Sequence, residues 1–129
     1  MSATEYTKQP EIRVLAMPSD TNAAGDIFGG WLMSQADIAA SIAAHRYVGS
    51  RVVTVSVHEF LFIKPVVVGD LISIYSDIAR IGNTSIRIAL TIFAEHERGF
   101  SDSNKVAEGE VTFVSIDENM KPQKINRHD

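Results

Sequence analysis

The chain has 129 residues and a formal net charge of −4, with 12 lysines and arginines against 16 aspartates and glutamates. This length predicts a single domain over residues 1–129 that folds without a disulfide or a structural metal ion. The acidic balance argues against a nucleic-acid partner, and the absence of cysteine excludes thiol nucleophiles, disulfides and zinc–thiolate sites and favours a reducing compartment, the cytoplasm.

Both ends of the chain are polar and lack hydrophobic periodicity, so we expect residues 1–10 and 118–129 to be loosely held. The first residues lack the apolar core of a secretory signal, and no later run is long enough to cross a bilayer. Membrane insertion is therefore not expected.

The first regular elements are predicted between residues 12 and 49. An apolar run from Ile12 to Met17 ends at Pro18 and predicts a strand that leads into a polar, glycine-rich loop. From about Phe28, apolar residues recur at helical spacing up to Gly49, a residue typical of a helix C-terminal cap. One long, alanine-rich helix is therefore predicted.

The rest of the chain predicts an antiparallel sheet. Apolar and polar residues alternate, as in strands that bury one face, in four runs: residues 53–58, 72–78, 86–92 and 105–116. In the first run, Val53, Val55 and Val57 are expected on the buried face. Together with the strand near residue 12, about five strands are predicted, and their apolar faces must be buried. A curved sheet wrapped around the single helix would bury them. The predicted fold class is α+β.

Asp37 is the first candidate for a functional residue. It lies in the predicted helix among Met33, Ala36, Ala40 and Ser41, where a surface helix normally shows several charges. These neighbours predict a partly desolvated carboxylate, an environment that suits a base acting on water. The alternative is an ordinary exposed position, because any helix of a soluble protein faces water somewhere.

The loop before the helix supplies further candidates. Asn22, taken alone, is best explained as a turn residue, since asparagine bonds readily to its own backbone. Gly29 and Gly30 either allow tight packing at the helix start or offer backbone N–H groups to a developing oxyanion, and both roles are compatible.

Several known catalytic motifs are absent from the sequence. It has no G-x-S-x-G elbow, no phosphate-binding G-x-x-x-x-G-K-[ST] loop and no H-E-x-x-H motif. The four histidines, His45, His58, His96 and His128, lie at no metal-ligand spacing, so structural or solvent-exposed roles are expected for them. Hydrolase triads and metal sites are therefore disfavoured.

Six segments that span most of the chain carry a family resemblance: Met17–Asn22, Gly25–Trp31, Met33–Asp37, Arg51–Val55, Phe62–Val66 and Val68–Asp70. They resemble the hot-dog-fold acyl-CoA thioesterases of the bacterial YciA type, which are related to the larger acyl-CoA hydrolases of animal cells. The resemblance implies an antiparallel sheet of about five strands wrapped around one central helix. It also implies hydrolysis of acyl-CoA to a free acid and coenzyme A.

In that family, the aspartate matching Asp37 and the asparagine matching Asn22 form the catalytic pair, contributed by different subunits at a dimer interface. The resemblance thus implies that Asp37 is a base acting on water or, less favoured, a nucleophile that forms a transient anhydride. Asn22 would hold the water or the carbonyl oxygen, and an N–H near Gly29 or Gly30 would stabilise the oxyanion. No metal or organic cofactor is expected.

Coenzyme A contacts are expected at one turn and at basic residues. The turn at residues 82–85 resembles the family's coenzyme A contact region, although relatives often have arginine where this chain has Asn83. Basic side chains can meet the phosphates, and each is equally compatible with a solvated position on the outer face of a sheet. The predicted contact residues are Lys64, Arg80, Gly82, Asn83, Thr84 and Ser85.

Two other functions stay open for this chain. One is a hot-dog dehydratase acting on acyl thioesters, which would use a histidine that the helix start lacks; the other is a non-catalytic acyl-CoA-binding module. The predicted sheet leaves an edge strand unpaired and the helix partly uncovered, so at least a homodimer is expected. The resemblance implies a homohexamer built as a trimer of dimers.

Overall fold

One long helix lies against a five-stranded antiparallel sheet in the computed structural model, which describes residues 9–97 and 102–128. In chain order the elements are β1 (Ile12–Leu15), α1 (Gly29–Val48), β2 (Val52–Phe62), β3 (Leu71–Ile81), β4 (Ser85–Glu95) and β5 (Ser103–Ser115). The strand order is β1-β3-β4-β5-β2, so β1 and β2 form the sheet edges. The predicted α+β class is confirmed. Residues 1–8, predicted to be loose, lie outside the described residues.

Helix α1 begins and ends close to where the sequence predicts. Phe28 forms its N-terminal cap without a side-chain hydrogen bond, and Gly49 ends it in the left-handed conformation at φ 78°, which favours glycine. The buried residues of the helix are mostly small: Leu32, Ala36, Ala39, Ala40 and Ala44. Alanine side chains let the helix backbone approach the sheet closely. Among the residues that the structure describes, no helix is long and apolar enough to span a membrane.

The sheet supplies the larger side chains of the core. On β4, Ile86, Ile88, Leu90 and Ile92 occupy alternate positions facing α1 and are at most 2% exposed. Phe113 of β5 pairs with Ile86 and is 1% exposed. The predicted alternation is confirmed on these two strands, because both lie inside the sheet and bury a complete face.

Strand β2 departs from the predicted alternation. Val55 and Val57, expected on the buried face with Val53, are 54% and 42% exposed. Strand β2 is an edge strand, and its pairing with β5 shifts between Thr54 and Ser56, which places Thr54 and Val57 on the same face of the sheet. The prediction of a regular strand with one buried face is therefore wrong for β2.

The C-terminal segment, predicted to be loosely held, packs against the domain. The backbone N–H of Ile125 donates to the carbonyl of Asn83 at 2.8 Å, and the Ile125 side chain is 3% exposed. The N–H of His128 donates to the hydroxyl of Tyr47 at 2.8 Å. One buried isoleucine anchors a polar segment, and a single such residue leaves no periodic pattern. Residues 121–124 and 126–128 are exposed, so Ile125 is the buried anchor of this segment.

Candidate active site

Asp37 lies half-buried on the flank of α1 that is next to β2. The hydroxyl of Thr54 donates to Asp37 Oδ1 at 2.8 Å. The other oxygen, Oδ2, makes no hydrogen bond within residues 9–97 and 102–128. One oxygen is thus fixed and the other is open to accept a proton from bound water, which is the arrangement of a positioned base.

Thr54 is a candidate site residue that sequence reasoning misses. It pairs with the core residue Phe113, so its side chain points to the face of the sheet that carries α1. A threonine within a run of valines is ordinary in any strand, and its sequence signal is therefore weak. The contact with Asp37 depends on the edge position of β2 and on its bulge, which only the folded chain reveals.

Asn22 lies in a tight loop that follows a 3-10 turn at Pro18–Asp20. Its Oδ1 accepts the backbone N–H groups of Ala24 at 2.9 Å and of Asp26 at 3.1 Å. These are the bonds of a turn residue, and they fix the side chain. They leave the Nδ2 amide, which has no hydrogen bond in the described part of the chain, as a donor available to a ligand.

The start of α1 offers two open backbone donors. The N–H groups of Trp31 and Leu32 donate to the carbonyl of Phe28, whereas those of Gly29 and Gly30 have no partner among the described residues. A Cβ at Gly30 would meet nothing within 4 Å, and one at Gly29 would lie 3.1 Å from a side-chain ring of β2. Both predicted roles therefore have a structural basis: packing at Gly29, and N–H groups that a ligand can reach.

The donors and the acid do not meet within one chain. Gly30 and Asp37 are seven residues apart on α1, which corresponds to about 10 Å along the helix axis. No hydrogen bond joins Asn22 to Asp37 among the residues described. A single carbonyl group cannot contact both ends. One chain thus carries two separate groups of candidate residues. We name Asn22, Gly29 and Gly30 the donor half-site, and Asp37 and Thr54 the acid half-site.

The six predicted coenzyme A contacts fall in three places. Gly82, Asn83 and Thr84 form the β3–β4 turn, and Ser85 begins β4. Arg80 pairs with Arg87 on the face of the sheet away from α1. Lys64 follows β2, and its Nζ donates to Asn104 at 3.4 Å, near the start of β5. The turn lies beside the other end of β5, about 30 Å away along that strand. One chain therefore does not bring Lys64 to the turn.

Comparison with known proteins identifies the family. Residues 24–100 match the family model described as the thioesterase superfamily. The acyl-CoA thioester hydrolase YciA of Escherichia coli is 40% identical over 129 residues, which cover 97% of this chain and 98% of that one. The chain belongs to the thioesterase superfamily.

Solved structures of similar proteins show the fold of this superfamily member. A hexameric hot-dog-fold thioesterase of Campylobacter jejuni is 40% identical, with a TM-score of 0.86 over 92% of this chain and 91% of that one. The acyl-CoA hydrolase of Staphylococcus aureus, solved with butyryl coenzyme A and coenzyme A, is 29% identical, with a TM-score of 0.82 over 92% of this chain and 73% of that one. The predicted hot-dog fold is confirmed.

Two histidines of this thioesterase-superfamily chain have polar partners away from Asp37. His58 Nε2 lies 2.8 Å from Ser56 Oγ and 2.9 Å from Thr112 Oγ1, on the outer face of the sheet. His96 Nδ1 lies 2.7 Å from Asp70 Oδ1, and this hydrogen bond, together with the charge of Asp70, raises the pKa of the imidazole. In residues 9–97 and 102–128, no three histidine or carboxylate side chains converge as metal ligands.

Proposed function

We propose that this chain hydrolyses acyl-CoA thioesters to a free acid and coenzyme A. The main support is the half-buried carboxylate of Asp37, with one oxygen held by Thr54 at 2.8 Å and the other open. The acyl-CoA thioester hydrolase YciA of Escherichia coli is similar to this chain along nearly its whole length. A thioester carbonyl is a reactive electrophile, so its hydrolysis requires mainly a positioned water, a base and oxyanion donors.

In the proposed reaction, Asp37 Oδ2 removes a proton from a water molecule as the water oxygen bonds to the thioester carbonyl carbon. The N–H groups of Gly29 and Gly30 and the Nδ2 amide of Asn22 donate to the oxyanion. The carbon–sulfur bond then breaks, the carbonyl re-forms, and the proton held by Asp37 passes to the sulfur of coenzyme A. These groups complete the reaction without a metal or organic cofactor.

The proposal includes a second copy of the chain. Among the described residues, strand β2 pairs only with β5. Three apolar side chains on α1 and β2, those of Ile38, Val55 and Val57, are 48%, 54% and 42% exposed. A two-fold partner pairing along β2 would cover these side chains and remove the unpaired edge. The donor half-site of one copy would then serve the acid half-site of the other. We propose a homodimer as the minimum and a homohexamer, as in the Campylobacter jejuni relative, as the full assembly.

The test is the release of free thiol from short, medium and long acyl-CoAs by the wild-type protein and by Asp37→Asn. Loss of a general base is expected to slow turnover roughly 10²- to 10⁴-fold. Glu118→Gln, which neutralises a carboxylate on an exposed residue, is the control and is expected to retain the wild-type rate. Full activity of Asp37→Asn would remove Asp37 from the mechanism.

Assays of the wild-type protein also distinguish the two alternative functions. Binding of coenzyme A thioesters without thiol release from any acyl chain would indicate a binding module. Loss of water from a hydroxyacyl-CoA without thiol release would indicate a dehydratase. The position of His58 argues against the dehydratase, because its ring lies on the sheet face away from α1, next to Ser56 and Thr112.

A further inference from the structure

Among the residues that the structure describes, Asp70 is the one charged residue that is buried, with 4% of its surface exposed. Both of its carboxylate oxygens have partners. Oδ2 accepts the N–H of Val67 at 3.1 Å, and Oδ1 lies 2.7 Å from Nδ1 of His96. Burying a carboxylate is costly unless such bonds replace those that water made. Asp70 belongs to neither half-site, so the proposed reaction alone does not explain it.

Asp70 closes the turn that leads into β3, which we call the Asp70 turn (residues 66–70). Its backbone N–H donates to the carbonyl of Val67 at 3.1 Å, while its side chain accepts the N–H of the same residue. Aspartate side chains commonly hold a turn in this way, by bonding to a backbone group three residues before them. The conformation of the turn therefore depends on the Asp70 carboxylate.

One peptide group links this carboxylate to the donor half-site. The N–H of Val67, which Asp70 binds, and the carbonyl of Val66 belong to the same peptide group. The Val66 carbonyl accepts the N–H of Ile27 at 3.0 Å. Because a peptide group is planar, holding its N–H also fixes the direction of its carbonyl. Ile27 lies two residues before Gly29, so Asp70 fixes the start of the segment that carries the open N–H donors.

The Asp70 turn also holds the other end of the loop that contains Asn22. The carbonyl of Asp70 accepts the N–H of Ala16 at 2.9 Å, and the N–H of Gly69 donates to the carbonyl of Ala16 at 2.8 Å. Ala16 and Ile27 flank the loop and are 1% and 6% exposed. The bonds that Asn22 makes within the loop fix the shape of the loop. The turn fixes where the loop lies on the domain.

We propose that Asp70 is a positioning residue for the donor half-site, which it holds through the Asp70 turn at Ala16 and Ile27. This inference rests on the proposed function, because the donors in question are those that would bind the oxyanion. A shift of about 1 Å in such a group can slow a reaction roughly 10²-fold. Asp70 thus affects the rate without contacting the substrate.

Asp70→Ala tests this proposal, with Asp117→Ala as the matched control. Asp117 closes a different turn, after β5, where its Oδ1 accepts the N–H groups of Asn119 at 2.8 Å and Lys121 at 3.0 Å. Asp70→Ala is expected to lower kcat roughly 10- to 10²-fold with a smaller change in KM, because the donors act on the developing oxyanion. Asp117→Ala should retain the wild-type kcat. An unchanged kcat in Asp70→Ala, or equal losses in the two variants, would overturn the proposal.

Double variants show through which half-site Asp70 acts. Asp70→Ala is combined with Asn22→Ala, which impairs the donor half-site, and separately with Thr54→Val, which alters the acid half-site. Effects on interacting residues overlap, whereas effects on independent groups multiply. The fold-loss of kcat caused by Asp70→Ala is therefore expected to be smaller beside Asn22→Ala than beside Thr54→Val. Equal losses in the two backgrounds, or the reverse order, would contradict a role through the donor half-site.

Hydrogen exchange of the backbone amides measures the positioning without any reaction. In Asp70→Ala, peptides that cover residues 16–30 are expected to exchange roughly 10-fold faster or more, and peptides that cover residues 37–54 to keep their wild-type rates. Equally faster exchange throughout the domain would indicate a general loss of stability and would overturn the proposal. Asp70→Asn keeps the shape of the side chain and one acceptor oxygen. It should show the same pattern at a smaller amplitude, and it replaces Asp70→Ala if that variant does not fold.

Failure of the proposed function gives a different result. If the wild-type protein releases thiol from no acyl-CoA, the hydrolase proposal fails, and hydrogen exchange still tests the role of Asp70. Faster exchange confined to residues 16–30 would support that role. Wild-type exchange rates in this segment would overturn it.

Discussion

The acid half-site and the donor half-site differ in how their side chains are held. Asp37 lies on α1 and accepts a hydrogen bond from the Thr54 hydroxyl of β2 at 2.8 Å. Asn22 instead accepts the backbone N–H groups of Ala24 and Asp26, both in its own loop. The difference teaches that the position of Asp37 depends on the packing of α1 on β2, whereas one short loop fixes Asn22.

Asp37→Asn gives the largest expected effect and tests the acid half-site. We expect kcat with acyl-CoA to fall roughly 10²- to 10⁴-fold, because the proposed base that takes the proton of water is lost. Steady-state kinetics with the wild-type and variant proteins provides the measurement. An unchanged kcat would contradict a base at this position.

Thr54→Val removes the hydrogen bond to Asp37 while nearly keeping the shape of the side chain. We expect kcat to fall roughly 10-fold, the value of one hydrogen bond to a charged group, and Thr54→Ser to restore most of the loss. Circular dichroism of each variant controls for folding. Wild-type kcat in Thr54→Val would mean that the base needs no positioning by this hydroxyl.

The smallest effect is expected at His96, near the strand that leads to the donor half-site. His96 is hydrogen-bonded to Asp70, and the backbone carbonyl of Asp70 accepts the N–H of Ala16, the residue after β1, at 2.9 Å. The hydrogen bond to Asp70 and the Asp70 charge raise the pKa of His96 above its ordinary value of 6.5. Because the folded-state pKa is the higher one, the pair stabilises the fold fully below about pH 6.5, and this contribution is lost as pH rises through the raised value.

Urea unfolding between pH 5 and 9 measures this contribution. The urea midpoint of the wild-type protein should fall slightly as the pH rises above about 6.5, the ordinary pKa of histidine. The midpoint of His96→Gln should not show this fall. Identical pH profiles for the two proteins would show that the His96–Asp70 pair does not stabilise the fold.

Sequence patterns predict the inner elements of this fold because burial repeats along them. Strand β4 buries every second residue from Ile86 onward, and α1 ends at Gly49, where a left-handed residue is needed. Strand β2 escapes prediction, because its edge position and the bulge after Thr54 are set by pairing with β5 and not by local sequence. The buried side chain of Ile125 is likewise invisible to periodicity.

The same contrast applies to the candidate site. Asp37 can be singled out from the sequence, because it is a lone carboxylate in an alanine-rich helix. Its pairing with Asn22 is implied by the family resemblance. Thr54 is an ordinary residue for a strand. Its proposed role depends on a neighbour distant in sequence, Asp37.

Mixing two impaired variants tests most directly whether each site takes its donors from one chain and its acid from another. Asn22→Ala and Asp37→Asn chains are co-expressed, and the product is assayed beside each variant alone. In a mixed dimer, one site retains both wild-type residues and the other loses both. Random pairing makes about half of the dimers mixed, so recovery to about a quarter of wild-type activity is expected. Activity no higher than that of the separate variants would contradict a site shared between two chains.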